Sequence, residues 1–359
     1  MTEREVPAGG PEAKADAPEP PITRIFSGMQ PSGELHIGNY LGALKTWVEL
    51  QDRYPCIFSV VDLHALTQPY DPKEMPDRIR EMVLGWLSAG LDPERCTMFV
   101  QSTVPEHAEL AWILNTLTPM GLLERMTQYK DKAKKQPENV NVGLFDYPVL
   151  QAADIVIYKA DGVPVGEDQV QHIEFTRDVV GKFNNRYGPT FPMPRALLSP
   201  APRVMGLDGE RKMSKSLGNH ISLNDPPDVV WQKIAPAKTD VRRKRRTDPG
   251  VPEDCNIYSY HRFFSSADEQ RWAAEGCRTA AIGCRDCKKV VARNISAVIE
   301  PMRERRAEIE RHPDRIAEIL AAGTEKLAPM ARATMEEVRG RLGIPVAGRY
   351  GAGRGRTAR

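Results

Sequence analysis

The sequence predicts an α/β fold, a parallel sheet covered by helices and followed by an all-α C-terminal region. Two observations carry this. Short apolar runs alternate with helical patterns over the first 225 residues, the order that parallel crossovers require. Beyond about residue 225 apolar positions recur at helical spacing.

Each element follows in turn. Residues 22–27 (ITRIFS) read as a first buried strand, with a helix around 39–52. CIFSVVD (56–62) reads as a second strand, 76–90 as a helix, TMFVQS (97–102) as a third strand and 107–117 as a helix. IVIY (155–158) fits a fourth strand or a helix end, and VPVGEDQ (163–169) a strand running into a polar loop. Later, 288–300 and 302–311 read as helices meeting at a kink at Pro301. Pro313 suits a first helical turn and Gly323 a C-terminal cap, with Thr324 capping a last helix.

A chain of 359 residues suggests two domains at roughly 150 residues each, here 22–225 and 226–345. Lys+Arg 50 against Asp+Glu 48 leaves the chain near neutral, so any nucleic-acid surface must come from local charge. No run of about 18 apolar residues exists to span a membrane. The N-terminus lacks a secretory apolar run; residues 1–21, rich in Pro, Ala, Glu and Gly, read as a disordered tail, as does the Gly/Arg-rich 346–359. The expectation is a cytoplasmic protein without disulfides.

Two segments carry chemistry. His36-Ile37-Gly38-Asn39 follows the first strand and opens a helix. Free N–H groups there suit phosphate, Gly38 permits close approach, and His36 can donate to a phosphate oxygen. Taken alone, it is also compatible with a plain strand–turn–helix connection. The second is Lys212-Met213-Ser214-Lys215-Ser216, set among Gly206, Asp208, Gly209 and Gly218 on a loop. Its lysines can gather the charge of a triphosphate.

HIGN and KMSKS, in that order on an α/β region, resemble the signature pair of the class I aminoacyl-tRNA synthetases. SGMQPSGELHIGNYLGAL, ERMTQYKDK (124–132), VPVGEDQVQHIEFTRD (163–178) and FNNRYG (183–188) resemble the tryptophanyl-tRNA synthetases in particular. The similarity is dense over about residues 22–225 and looser beyond. It implies a Rossmann-type sheet with ATP where the strand order reverses. It implies Gln30, Pro31, Ser32 and Gly33 along the nucleotide loop, and Gly38 and Asn39 under the nucleotide. Gly166, Glu167 and Asp168 would meet the ribose and Val204 the adenine. Lys132, Lys212 and Lys215 would hold pyrophosphate, with Met213, Ser214 and Ser216 of the same segment binding ATP. His36, Lys132, Lys212 and Lys215 are the implied catalytic groups. No nucleophilic side chain is required: the amino acid's own carboxylate attacks the α-phosphorus. Mg²⁺ would be held mainly by phosphates and water. The acyl group then passes to the terminal 2′-OH of tRNA. The resemblance also implies a homodimer, with L-tryptophan, ATP and tRNA(Trp) as partners and no DNA.

Tryptophan has one indole N–H, and reading it takes a buried acceptor, for which Asp154 is the candidate. Asp154 is carried over from the resemblance, which also implies that Tyr147 and Gln169 hold the ammonium; Val61, Val163 and Val165 would wall the indole. Gln151 departs from the Met of many bacterial members, and its LQA-x-D string also resembles tyrosyl enzymes. A tyrosyl enzyme, a small-molecule nucleotidyltransferase and a non-catalytic paralogue with a regulatory role stay open as alternatives.

Four of six cysteines fall in Cys255-x21-Cys277-x6-Cys284-x2-Cys287, a spacing that suits either a Cys₄ zinc or an iron–sulfur site. Resemblance to a subset of the tryptophanyl enzymes implies a [4Fe–4S] cluster, with Zn²⁺ as the alternative. Just upstream, Arg242-Arg243-Lys244-Arg245-Arg246 is placed to meet tRNA phosphates. Tyr258, Tyr260, Phe263 and Phe264 are either stacking surfaces for anticodon bases or core.

Overall fold

The computed structural model describes residues 20–135, 137–198 and 204–345, without the side chains of 131, 132 and 135. Most of the 1–21 tail, the 346–359 tail and the Lys132 side chain lie outside the described residues.

Within them, β1 (Ile25–Met29), β2 (Cys56–Val60), β3 (Cys96–Val100), β4 (Gly162–Val165) and β5 (Arg195–Leu198) form one parallel sheet in the order β3-β2-β1-β4-β5. This is the expected α/β class. Alternate residues of each strand serve opposite faces. Ile25, Phe58, Val60, Met98 and Val100 join one core; Phe26, Ile57 and Phe99 join the other. Helix Met75–Ala89 closes on Gly90 in the left-handed region (φ 115°).

Several elements differ from expectation. β1 begins at Ile25 because the preceding residues are fastened elsewhere: the Thr23 and Arg24 N–H groups donate to the Asp161 carboxylate, each at 2.9 Å. Of the two readings open for residues 155–158, the helix end holds: they close helix Val142–Val156 and form no strand. β5, an edge strand without alternation, was not foreseen. Pro301 lies inside one continuous helix, Cys284–Glu310. Gly323 is no cap: helix Arg315–Leu342 runs unbroken through it and through Thr324, starting two residues after Pro313.

The reason lies in packing. A Cβ on Gly323 would sit 1.8 Å from the Met98 carbonyl oxygen, so glycine lets this helix lie against the outer edge of β3. The helical region thereby returns to the sheet. Arg339 pairs with Glu109, Lys159 with Glu337 at 2.6 Å and Arg306 with Glu81 at 2.9 Å. Among the described residues no helix is long and apolar enough to cross a membrane.

Gly323→Ala must push the helix off β3, and overpacking of this kind costs about 1–3 kcal/mol. Gly340→Ala, on the same helix with open space around it, should be neutral or slightly stabilising. Thermal unfolding of the two variants checks this; equal midpoints would mean that Gly323 is not needed for the contact.

Candidate active site

β1 and β4 are neighbours although the chain visits β2 and β3 between them. The crevice beyond their C-terminal ends is therefore the switch point of the sheet, where ligands of such folds bind. Two adjoining cavities open there.

The inner cavity is floored by Gly28 and Met29 and walled by β4 and helix Val142–Val156. A Cβ on Gly28 would sit 2.6 Å from Val61 Cγ1, so the floor requires glycine. All seven residues expected to bind the amino acid line it: Val61, Tyr147, Gln151, Asp154, Val163, Val165 and Gln169. Tyr147, Gln151 and Asp154 share one helical face at i, i+4 and i+7.

Asp154 is 1% exposed. Its Oδ1 accepts from Gln101 Nε2 (2.7 Å) and His107 Nδ1 (2.6 Å), and its Oδ2 from His64 Nε2 (2.8 Å). Burial alone would raise its pKa, but the hydrogen bonds from His107 and His64 outweigh it and hold the carboxyl below its ordinary value. A carboxylate has about four lone-pair sites, so Oδ2 can still accept one N–H from the cavity. His107 continues to the Tyr158 hydroxyl (2.7 Å). The Tyr147 hydroxyl meets His172 Nε2 at 2.7 Å, and burial pushes its pKa up, so it stays neutral. His64, Gln101, His107 and Tyr158 were not foreseen. Three of the four come from turns or helices that carry no motif.

The outer cavity is bordered by Gln30, Pro31, Ser32, Gly33 and His36 on one side and by Ser214, Lys215 and Ser216 on the other. Gln30 and Gln68 line both cavities and bond each other at 3.2 Å, marking their boundary. Gly33 turns at φ 86°, and a Cβ there would lie 3.3 Å from Lys215 Nζ. His36 caps the following helix, its Nδ1 accepting the Gly38 N–H at 3.1 Å. Its pKa falls to about 4, through burial first and then His220 and Lys212 nearby. Neutral His36 thus carries its proton on Nε2, as a donor.

The lysine-bearing loop springs from a hairpin. Met205 pairs with Lys212, Met213 N–H donates to Val204 O at 3.0 Å, and Gly209 turns at φ 66°. Asn219 Oδ1 accepts the Ser214 N–H at 2.8 Å, which leaves the tip Lys215–Leu217 exposed.

Other expected residues stand further off. Val204 is buried beneath the loop. The Asn39 side chain accepts the His36 N–H at 3.0 Å, completing the helix cap. A Cβ on Gly38 would meet the His36 ring at 2.9 Å and Met213 Cβ at 3.5 Å. Gly166 borders the inner cavity, while Glu167 and Asp168 are exposed on the turn after β4. Lys212 is exposed at the root of the loop.

Cys255, Cys277, Cys284 and Cys287 line one small cavity together with Arg243. Among the described residues no three of His, Cys, Asp and Glu converge closely enough to hold a single metal ion. Arg243 Nη1 reaches Cys277 Sγ at 3.7 Å, and His261 Nε2 lies 3.2 Å from Cys287 Sγ. Burial, then the neighbouring cysteines, pushes the Cys287 thiol up to about 12.

The basic run is divided. Arg242 bonds Asp240 (2.8 Å) and Asp254, and Arg243 turns inward to the carbonyls of Asp248 (2.9 Å) and Ile282 (2.8 Å). Lys244, Arg245 and Arg246 remain exposed. Tyr260 is core, its hydroxyl donating to Met205 O at 2.6 Å. Phe263 and Phe264 also pack on the core, and Arg262 lies over the Tyr258 ring.

The chain is similar to known proteins along most of its length. The family described as tRNA synthetases class I (W and Y) matches residues 20–300. A tryptophan–tRNA ligase of Deinococcus radiodurans is 47% identical over 328 residues, covering 90% of this chain and 99% of that protein. One from Thermotoga maritima is 46% identical, covering 88% and 98%. The solved tryptophanyl-tRNA synthetase of Campylobacter jejuni, complexed with ADP and tryptophan, superposes with a TM-score of 0.79 at 35% identity, covering 90% of this chain and all of that one.

Proposed function

This chain belongs to the class I tRNA synthetase family of the tryptophan and tyrosine enzymes, and from that premise we propose how it works as a tryptophan–tRNA ligase. It activates L-tryptophan with ATP and transfers it to tRNA(Trp). The observation that carries the choice of amino acid is the inner cavity. Its valine walls suit an apolar bicycle, and Asp154 keeps one acceptor site for the indole N–H. Tyr147 and Gln169 receive the ammonium, and Gln151 lies between the two ends.

ATP occupies the outer cavity. Gln30, Pro31, Ser32 and Gly33 follow the nucleotide, with Gly38 and Asn39 beneath it. Gly166, Glu167 and Asp168 serve the ribose, and Val204 backs the adenine. The tryptophan carboxylate attacks the α-phosphorus; the new carboxyl–phosphate bond forms as the bond to pyrophosphate breaks. His36 Nε2–H, Lys132, Lys212, Lys215 and the hydroxyls of Ser214 and Ser216 stabilise the charge that builds on pyrophosphate. Mg²⁺ adds to that neutralisation through the phosphates themselves. The terminal ribose hydroxyl of tRNA then attacks the acyl carbon and AMP departs. The protein contributes placement and charge, and no covalent intermediate with the enzyme.

The helical region 226–345 recognises tRNA, with Lys244, Arg245 and Arg246 meeting phosphates. Cys255, Cys277, Cys284 and Cys287 hold a [4Fe–4S] cluster that fastens this region. Four thiols around one cavity fit such a group. The Arg243 guanidinium beside Cys277 suits sulfurs carrying negative charge. Two copies associate through Trp112 (72% exposed), Met120 (63%) and Val142 (77%), large apolar side chains set out toward solvent.

The first test is amino-acid-dependent ATP–pyrophosphate exchange. Exchange with tryptophan and not tyrosine is expected, and Lys215→Ala should lower it by roughly 100-fold while tryptophan binding holds. Exchange driven by tyrosine would overturn the pocket assignment. Protein purified without oxygen should be brown and contain iron; a colourless protein with stoichiometric zinc would replace the cluster by a zinc site. Trp112→Glu should shift the sedimenting species from dimer to monomer, and an unchanged dimer would move the interface elsewhere.

A further inference from the structure

The segments bearing the two signature motifs pair with each other. Ile37 N–H donates to Ile221 O and Leu223 N–H to Leu35 O, both at 3.0 Å, with His36 directly opposite Ser222. Side chains alternate along such a pairing. Leu35, Ile37, Ile221 and Leu223 all enter the core. The other face therefore presents Glu34, His36, His220 and Ser222 together, and Glu34 and His36 border the outer cavity. The His36 and His220 rings lie 6.0 Å apart, centroid to centroid.

We propose that His220 belongs to the nucleotide site as a second histidine, and that it takes up a proton from solvent when the triphosphate binds. The inference rests on the reading of the outer cavity as the ATP site.

The charges around the pair decide the direction. Lys212 and Lys215 face it from the loop. Lys233 faces it from the next helix, tied to Asp225 at 2.5 Å, and Glu34 and Asp225 are the carboxylates nearby. Burial first, then Lys233 and Lys215, keep the His220 pKa low, with Asp225 and Glu34 opposing. His220 stands behind His36, which borders the outer cavity, so a triphosphate there brings several negative charges close enough to offset the penalty on an imidazolium.

Local bonding selects which histidine responds. His36 can gain a proton on Nδ1 only by losing the Gly38 N–H it now accepts. His220 Nδ1 is buried with no hydrogen-bond partner among the described residues, so protonation there breaks nothing. Because the pKa is higher in the bound state, ATP affinity rises as pH falls through the window between the free and bound values. The limit is about tenfold per pH unit for one full proton.

Calorimetry of ATP binding to the full chain, in buffers of different ionisation enthalpy, counts the protons. ATP's own titration cancels between wild type and His220→Gln. Wild type should take up more protons than the variant, and its Kd for ATP should fall more steeply between about pH 7.5 and 6. Unchanged tryptophan affinity would show that the variant is folded. Equal proton counts, or uptake lost in His36→Gln but kept in His220→Gln, would overturn the inference and leave the ATP reading standing. Failure of the wild type to bind ATP would sink that reading as well.

Discussion

A carboxylate buried to 1% exposure must be compensated where it lies, and Asp154 is compensated by residues from three other parts of the chain. Gln101 comes from the turn after β3, His107 from helix Glu106–Asn115, and His64 from the helix Asp62–Ala65 after β2. Each donor fixes its own element against helix Val142–Val156. The C-terminal ends of β2 and β3 are thereby held to the helix that faces β4, across the point where the sheet reverses. Moving any of these elements would strand a charge or a polar ring, so the inner cavity keeps its shape while empty. A rigid cavity with one acceptor site left over is what selective recognition of a single N–H requires.

The fold was legible where the physics is local. Cys56–Val60 and Cys96–Val100 are apolar but for Ser59 and Thr97, and read correctly within a residue or two. Gly323 and Pro301 misled because both are helix breakers by propensity. The long helices survive them because tertiary packing outweighs it: Gly323 exists for contact with β3, a reason invisible without the partner strand. β5 was missed since its residues are half-exposed and its identity as a strand comes from pairing with β4.

The site divides in the same way. Residues carried in contiguous motifs, such as Gln30 to Gly33 and Ser214 to Ser216, fall together around one cavity. His64, Gln101, His107 and Tyr158 stand outside any contiguous motif, and any of them reads as an ordinary core polar residue. They acquire a role only through the carboxylate they share. Arg242 and Arg243 fail in the opposite sense. A run of five cations looks uniform in sequence, yet the structure spends two of them on carboxylates, carbonyls and a sulfur, which leaves the outward charge to Lys244, Arg245 and Arg246.

The two cavities share one boundary, at Gln30 and Gln68, and that boundary constrains the chemistry. In the proposed assignment, tryptophan held by its indole N–H at Asp154 and by its ammonium at Tyr147 and Gln169 would have one free group, the carboxylate. The opening toward the outer cavity is where that group can meet a phosphate. On the far side, Lys215 over Gly33 and the Nε2–H of His36 are the groups that would draw a leaving pyrophosphate away from the junction. Attack and departure would then run from inner cavity to outer, the arrangement that an in-line displacement demands. A tyrosine in the same cavity would offer Asp154 a hydroxyl at a different depth. Its carboxylate would then stand off from the junction, so the contact that reads the side chain also sets the distance to the phosphorus.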